Sequence, residues 1–367
     1  MCYLVALGIG INKAKGRSLM MLNRRDFGKL ALAAAATPAS SLLAAKPNSV
    51  YGGVQIGVIS YSFRDMPDAH IDAEKMLKYI IEAGASGVEL MADAAEAWVG
   101  MPKELLPGAG RGGAAGASGR GASGASGATA LDPAAQAEAR AAAQKAAAAR
   151  AETLKNWRLS VSMDKYRALR KLYNDAGVSI YCFKLEPQPA MSQEELDYIF
   201  GAAAALGATH VTRELYVNAR TLTMDMAFTQ RLADTALKHG IRAAYHTHEE
   251  ATFKAWDAVL AQSKGNAVNM DCGHYFAGTG ESPVPLIEKL HDRIASIHLK
   301  DRGKGGVPAP NLPWGQADTP IIEILQLMKK NKYTFPASVE LEYQIPQGSD
   351  SVVEVKKCIE YARKALA

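Results

Sequence analysis

From Val54 to the C-terminus the chain alternates strand-like runs with amphipathic stretches, and this rhythm restricts its fold more than any other feature. The strand-like runs are Val54–Ser60, Gly87–Met91, Val178–Lys184, Thr209–Leu215, Ile241–His246, Ala267–Asp271, Ile294–Leu299 and Ala337–Leu341. The helix-like stretches are Asp72–Ala83, Met163–Asp175, Gln193–Leu206, Met224–His239, Lys254–Gln262, Pro283–Leu290, Thr319–Asn331 and Ser351–Ala365. Several of them end in glycine just before the next strand, at Gly84, Gly177, Gly207 and Gly240, as a helix C-terminus prefers. Eight strands, each followed by a helix, imply a parallel sheet closed as an α/β (β/α)8 TIM barrel. An open doubly wound sheet is the rival, but no Gly-x-Gly-x-x-Gly follows the first strand and eight units exceed what that fold usually needs.

In such a barrel the carboxyl ends of the strands build the active site. The most informative end is Ala267–His274, Ala-Val-Asn-Met-Asp-Cys-Gly-His. It delivers Asp271 where the strand runs out and His274 three residues later, with Gly273 between them to let the backbone approach a ligand. The plainer reading is that Asp271 caps a following helix and His274 is polar surface. The other ends decide between the two readings: Glu89; Lys184 and Glu186; Glu214; His246 and His248; His298 and Lys300; Glu340 and Glu342. Parallel strands are ordinarily apolar to their ends, and charged groups are costly to bury unpaired. A divalent cation gives such a ring a reason. The pairs 246/248, 298/300 and 340/342 are spaced by two, so each pair lies on one face of its strand. Mixed imidazole and carboxylate donors suit one divalent ion of Mn, Co, Fe, Ni or Zn, with Mg also open. His70, His210, His239 and His291 are read as core or surface histidines without a ligand role.

Residues 22–45 have the layout of an export signal, a basic n-region followed by a modest apolar stretch, and Arg24-Arg25 with Phe27 and Lys29 resembles a twin-arginine signal. Residues 1–45 are therefore read as upstream sequence and leader, and the protein as exported to the periplasm through that machinery, with no membrane span in the mature form. Lys13, Lys15, Arg17, Arg24, Arg25 and Lys29 against Asp26 give the leader +5, equal to the whole chain's +5, so the remainder is formally neutral. A neutral barrel gives no electrostatic footprint for nucleic acid. Of the four cysteines, Cys182, Cys272 and Cys358 follow the leader as an odd set without Cys-x-x-Cys spacing, so neither a zinc knuckle nor a disulfide framework is indicated. One segment, 101–157, interrupts the barrel after the second strand. Residues 107–130 are nearly all Gly, Ala and Ser, a composition that predicts no fixed structure. Residues 133–151 are Ala-rich, which predicts a solvent-facing helix leading to Trp157. The segment reads as a tolerated insertion in a single barrel domain, 50–367.

The strand ends Tyr-His-Thr-His-Glu-Glu (245–250), Met-Asp-Cys-Gly-His (270–274), Ile-His-Leu-Lys-Asp (297–301) and Val-Glu-Leu-Glu-Tyr (339–343) resemble the xylose isomerase-like barrels, and more narrowly the sugar phosphate isomerases/epimerases. The opening Gly-Val-Ile-Ser-Tyr-Ser-Phe-Arg (57–64) is similar too. The resemblance implies one divalent metal held by residues of the last four strands. Matched by position, Asp271, His298 and Glu340 fall on three ligand positions, and His246 stands where the better-known epimerases carry Glu. His246 is read as the remaining ligand, with His248 or a three-residue site as alternatives. The implied chemistry is proton abstraction next to a sugar carbonyl through an enediolate. Glu340 or Glu214 would act as base, while His274 or Lys300 would orient hydroxyls or return the proton. Glu89, Lys184, His248 and Trp314 are read as substrate-binding residues. The same enediolate serves isomerisation, epimerisation or elimination, the last resembling lyases and hydratases acting on 3-keto sugars or 3-keto glycosides. A DNA-repair phosphodiesterase conflicts with the neutral charge and the export signal. A non-catalytic envelope sugar-binding barrel is the remaining alternative.

Overall fold

A computed structural model describes residues 46–106, 133–304 and 309–367. The expected signal over 22–45 and the segment 107–130 lie outside the described residues.

Eight parallel strands close on themselves. They are β1 (Val54–Ile59), β2 (Gly87–Met91), β3 (Ser179–Lys184), β4 (His210–Glu214), β5 (Arg242–His246), β6 (Asn266–Asp271), β7 (Ile294–Leu299) and β8 (Ala337–Val339). Each pairs with its sequence neighbours, and β8 pairs back with β1, which closes the barrel. Val50–Tyr51 adds an antiparallel extension to β1, and Asp301–Arg302 pairs with Asn311–Leu312 beyond β7. The strands are buried almost throughout because helices cover their outer faces and side chains fill the interior.

The helices, in chain order, are α1 (Ala73–Ala83), α2 (Ala92–Trp98), α3 (Pro133–Ser160), α4 (Met163–Asp175), α5 (Gln193–Leu206), α6 (Met226–Lys238), α7 (Asp257–Gln262), α8 (Cys272–Thr279), α9 (Val284–Leu290), α10 (Ile321–Asn331) and α11 (Ser351–Ala365). In α1, Met76, Leu77 and Ile80 form the buried stripe, and the Asp72 side chain caps the first turn by accepting from the backbone N–H of Glu74 and Lys75. Gly84 ends α1 at φ 87° and Gly207 ends α5 at φ 82°, a left-handed geometry that favours glycine. Three helices start two or three residues later than their apolar periodicity suggested. Asp225 is the N-cap of α6 rather than part of it, α7 begins at Asp257 rather than Lys254, and α10 begins at Ile321 after Pro320.

The alanine-rich stretch is helical and runs on to Ser160, beyond Ala151. Residues 136–152 are exposed all round, but its last turns are fastened to the barrel. Arg158 makes a two-pronged ion pair with Glu96 of α2, both bonds 2.8 Å. The indole of Trp157 donates to Gly100 O at 3.2 Å, and Arg150 donates to Leu105 O at 2.6 Å. No helix among the described residues is long and apolar enough to cross a membrane.

Candidate active site

Register brings the strand-end groups together. Glu214 stands beside His246 across the β4–β5 pair, Asp271 beside His298 across β6–β7, and Ser338 beside His298 across β7–β8. Glu340 follows Ser338 by two and returns to the same face. Its backbone N–H still bonds Leu299 O at 3.1 Å, although the regular ladder ends at Val339.

At the centre, one donor atom each from His246, Asp271 and His298 lies within 4.8 Å of the others, and all three residues are buried. Asp271 does two jobs. Oδ1 caps α8 by accepting the His274 backbone N–H at 2.7 Å, while Oδ2, equally buried, accepts no hydrogen bond. The Lys300 ammonium lies 3.1 Å from Oδ2 without the direction a hydrogen bond needs. The plainer reading of this turn, a helix cap, is therefore correct for Oδ1, but His274 is 6 % exposed and belongs to the interior. Gly273 serves Lys300 rather than a ligand, since a Cβ there would stand 2.4 Å from Lys300 Cγ and 2.6 Å from its carbonyl oxygen.

His298 is held between two carboxylates. Nδ1 meets Glu340 Oε2 at 2.7 Å and Nε2 meets Glu89 Oε2 at 2.9 Å. Burial lowers its pKa, but the charges of Glu89 and Glu340 outweigh that and carry it up to about 10. Burial pushes Glu89 upward, and the His298 charge with its hydrogen bond reverses this, to about 2. Glu89 thus has a different place from the substrate contact expected of it. It is fully buried, and its other oxygen accepts from Thr212 Oγ1 at 3.2 Å. Burial drives His246 down to about 3 and so keeps it neutral, with Nδ1 2.7 Å from Asn269 Oδ1.

Lys300 is a buried cation among three carboxylates. Its Nζ is 2.7 Å from Glu342 Oε2, 3.0 Å from Glu340 Oε2 and 3.1 Å from Asp271 Oδ2, with His274 Nε2 at 3.0 Å. Burial opposes its charge, but Asp271, Glu340 and Glu342 more than offset this and raise its pKa. On the other side of His274, Arg302 reaches Nδ1 at 2.7 Å and Glu249 at 2.8 Å. Nearer solvent, His248 and Glu214 pair at 3.3 Å, with side chains 46 % and 32 % exposed. Burial lowers His248, but the Glu214 bond and charge lift it to about 9. Burial raises Glu214, but the adjoining imidazoles, the bond from His248 and the Lys184 charge outweigh that and hold it down to about 2. Lys184 faces Glu89, Glu214 and Glu340, whose charges raise its pKa against burial, and among the described residues its ammonium makes no hydrogen bond. Glu186 accepts from the Glu214 backbone N–H at 3.4 Å. Trp314 lies in the apolar core, edge-on to Tyr361 of α11, and makes none of these contacts.

The central residues suit a divalent ion. Among the described residues Asp271 Oδ2 is fully buried and accepts no hydrogen bond, with only the Lys300 ammonium beside it, so it keeps a lone pair for a cation, and a neutral imidazole plus carboxylates is a borderline donor set. Glu89 on His298 Nε2 is the kind of outer partner that fixes a ligating imidazole. A second grouping, Glu89, Cys182 and His210, fits a metal poorly. Burial raises the Cys182 thiol well above its usual range, so it offers no thiolate. Sequence reasoning passed over Asn269, Glu249, Arg302 and Glu96. Asn269 carried a signal, being a polar amide two residues before Asp271 and hence on the same inward face.

Comparison with known proteins agrees with the barrel fold. Residues 131–364 match the family model described as xylose isomerase-like TIM barrel. The inosose dehydratase of Mesomycoplasma hyopneumoniae (strain 7448) is 29% identical over 151 residues, covering 35% of this chain and 50% of that protein. The chain thus spans about half the length of the curated relatives it matches. The probable 3-DHS dehydratase of Bacillus anthracis superposes with TM-score 0.54 at 12% identity, over 84% of this chain and 99% of that one. The 3-keto-D-glucoside 4-epimerase of E. coli gives TM-score 0.51 at 9% identity, over 85% and 99%. At such identities these two likenesses concern the fold. The family match spans six of the eight barrel strands and every residue of the central cluster: this chain belongs to the xylose isomerase-like TIM barrel family.

Proposed function

We propose that this protein removes a proton next to the carbonyl of a sugar or similar polyhydroxylated ketone, with His246, Asp271, His298 and Glu340 holding one divalent ion. The observation that carries the reading is Asp271, whose Oδ2 is fully buried and without a hydrogen bond among the described residues, and whose carboxylate comes within 4.8 Å of two imidazole donors. The ion would supply Lewis acidity, polarising the carbonyl and stabilising enediolate charge. The chain's own groups do the rest. Lys184, whose ammonium makes no hydrogen bond among the described residues, is left to bind a substrate oxygen, while Lys300 and His274, tied to each other, to Glu342 and to Arg302, hold Asp271 and Glu340 in place. Glu214 and His248, paired at 3.3 Å at the solvent side, are a carboxylate that can take a proton beside an imidazole that can give one.

Isomerisation or epimerisation is the first outcome of such an enediolate. Elimination of water is a second, favoured by one feature of the site. Two-base epimerisation wants a carboxylate on each face of the substrate, and here His246 replaces one of them, whereas elimination needs one base and one acid. The inosose dehydratase likeness points the same way. Metal-supplemented protein incubated in D2O with keto sugars, 3-keto glycosides and cyclic polyol ketones separates the outcomes. Deuterium entering recovered ketone or an epimer supports the first, and a growing ultraviolet absorbance from a conjugated enone supports the second. Neither signal across the panel would remove the proposal.

A further inference from the structure

The interior of a parallel eight-stranded barrel is ordinarily filled by branched apolar side chains, yet here a line of polar groups runs through it. Thr209 Oγ1 lies 2.9 Å from His210 Nδ1, and His210 Nε2 lies 2.9 Å from Ser296 Oγ. Asn269 Nδ2 donates to Ser296 Oγ at 2.7 Å, and Asn269 Oδ1 is 2.7 Å from His246 Nδ1. His210, Asn269 and Ser296 are fully buried, so no water can repair a bond pointing the wrong way.

The direction of each bond follows from the two ends. The Thr209 hydroxyl lies 3.1 Å from the backbone oxygen of Tyr181, an atom that can only accept, and 2.9 Å from His210 Nδ1; with the Asn269 amide nitrogen donating to Ser296 Oγ at the other end, the line closes only if the hydroxyl proton goes to Tyr181. Thr209 Oγ1 therefore accepts from His210, whose Nδ1 carries the hydrogen. Burial holds His210 neutral, its pKa lowered to about 4, so Nε2 has a lone pair and takes the Ser296 proton. With that proton committed, Ser296 Oγ accepts from the Asn269 amide nitrogen, which turns the amide oxygen toward His246. The proton on His246 then sits on Nδ1.

We infer that Asn269, Ser296 and His210 are positioning residues that pass the polarity of one backbone carbonyl across the barrel and lock His246 as its Nδ1–H tautomer, leaving Nε2 as its donor atom. The consequence for ion binding rests on the proposed function; the tautomer does not. A ring free to exchange tautomers offers the Nε2 lone pair part of the time, and a locked ring offers it always.

The test uses full-length protein labelled with 15N-histidine. Long-range 1H–15N spectra of the metal-free form are followed by titration with Mn2+ alone. Expected is a protonated Nδ1 and an unprotonated Nε2 at His246 in the wild type. Asn269→Ala should mix the tautomers and weaken Mn2+ binding roughly 10–100-fold, as loss of an outer partner does. Asn269→Asp keeps an acceptor for Nδ1–H and should restore both readouts. Ser296→Ala breaks the line one link further back without touching His246, and should also mix the tautomers. It decides the matter if Asn269→Ala does not fold. A wild-type His246 protonated on Nε2, or an unchanged tautomer in Ser296→Ala, overturns the inference. The expected tautomer in a wild type that binds no Mn2+ upholds the inference and overturns the proposed ion site instead.

Discussion

The ion pair between Arg158 and Glu96 gives a sharp energetic expectation. The two side chains are 10 % and 1 % exposed and joined by two bonds of 2.8 Å. The carboxylate has one further partner, Tyr198 Oη at 2.9 Å on Oε1, and Tyr198 in turn meets Tyr166 Oη at 2.5 Å. Arg158→Met removes the guanidinium, leaves Oε2 without a hydrogen bond and leaves a buried charge without its counterion. Breaking a buried pair in this way costs about 3–5 kcal/mol, whereas an exposed pair such as Lys171–Asp175, 75 % and 64 % exposed, is worth at most about 1 kcal/mol. At about 2–4 °C per kcal/mol for a sizeable domain, the melting temperature should fall by roughly 10 °C. The double variant Glu96→Gln/Arg158→Met removes both charges and should recover most of the loss. Urea unfolding followed by circular dichroism, arranged as a double-mutant cycle, measures the coupling. A loss below about 1 kcal/mol in Arg158→Met, or a double variant no more stable than the single one, would refute the idea that this pair anchors α3.

Three further expectations follow from the site. Glu89→Gln keeps the shape beside His298 Nε2 but removes the charge, and should weaken Mn2+ binding about 10–100-fold by calorimetry without unfolding the barrel. Gly273→Ala places a methyl against the Lys300 backbone, so a loss of about 1–3 kcal/mol is expected in denaturant unfolding, together with weakened Mn2+ binding as Lys300 shifts. His210 titrates near 4 in the fold and near 6.5 when unfolded, so between those values the unfolded chain holds the extra proton. Its contribution is intact above pH 6.5 and is lost on acidification toward pH 4, by about 3 kcal/mol at most; stability measured against pH should lose that slope in His210→Asn.

Much of the barrel is legible in the sequence because two periodicities coexist there. Strand β2 has the bounds read from its apolar run, and β6 differs by one residue, because turn residues flank each of them. The strand-end set is legible for the same reason: spacing by two puts Glu340 and Glu342, or His298 and Lys300, on one face. What periodicity lacks is partnership. Glu89 and His298 are 209 residues apart, and only closure of the barrel makes one the clamp of the other. Helix α2, Ala92–Trp98, is short and mostly alanine, so it has no apolar stripe to read. Helix α8 begins inside what looks like a turn, since Asp271 both ends a strand and caps the helix. The far end of α3 looked solvated because Arg158 reads as a surface charge until Glu96 is placed beside it.

Proton exchange is the most direct measure of what this site does. Wild-type protein loaded with Mn2+ and its His298→Ala variant are incubated in D2O with the keto-sugar panel, and deuterium at the carbon next to the carbonyl is followed by NMR. Expected is exchange in the wild type well above a metal-only control, abolished in the variant together with retention of about one ion per chain. Exchange at the same rate in both proteins, or none above the control in ion-loaded wild type, would contradict a metal-assisted proton abstraction at His246, Asp271, His298 and Glu340.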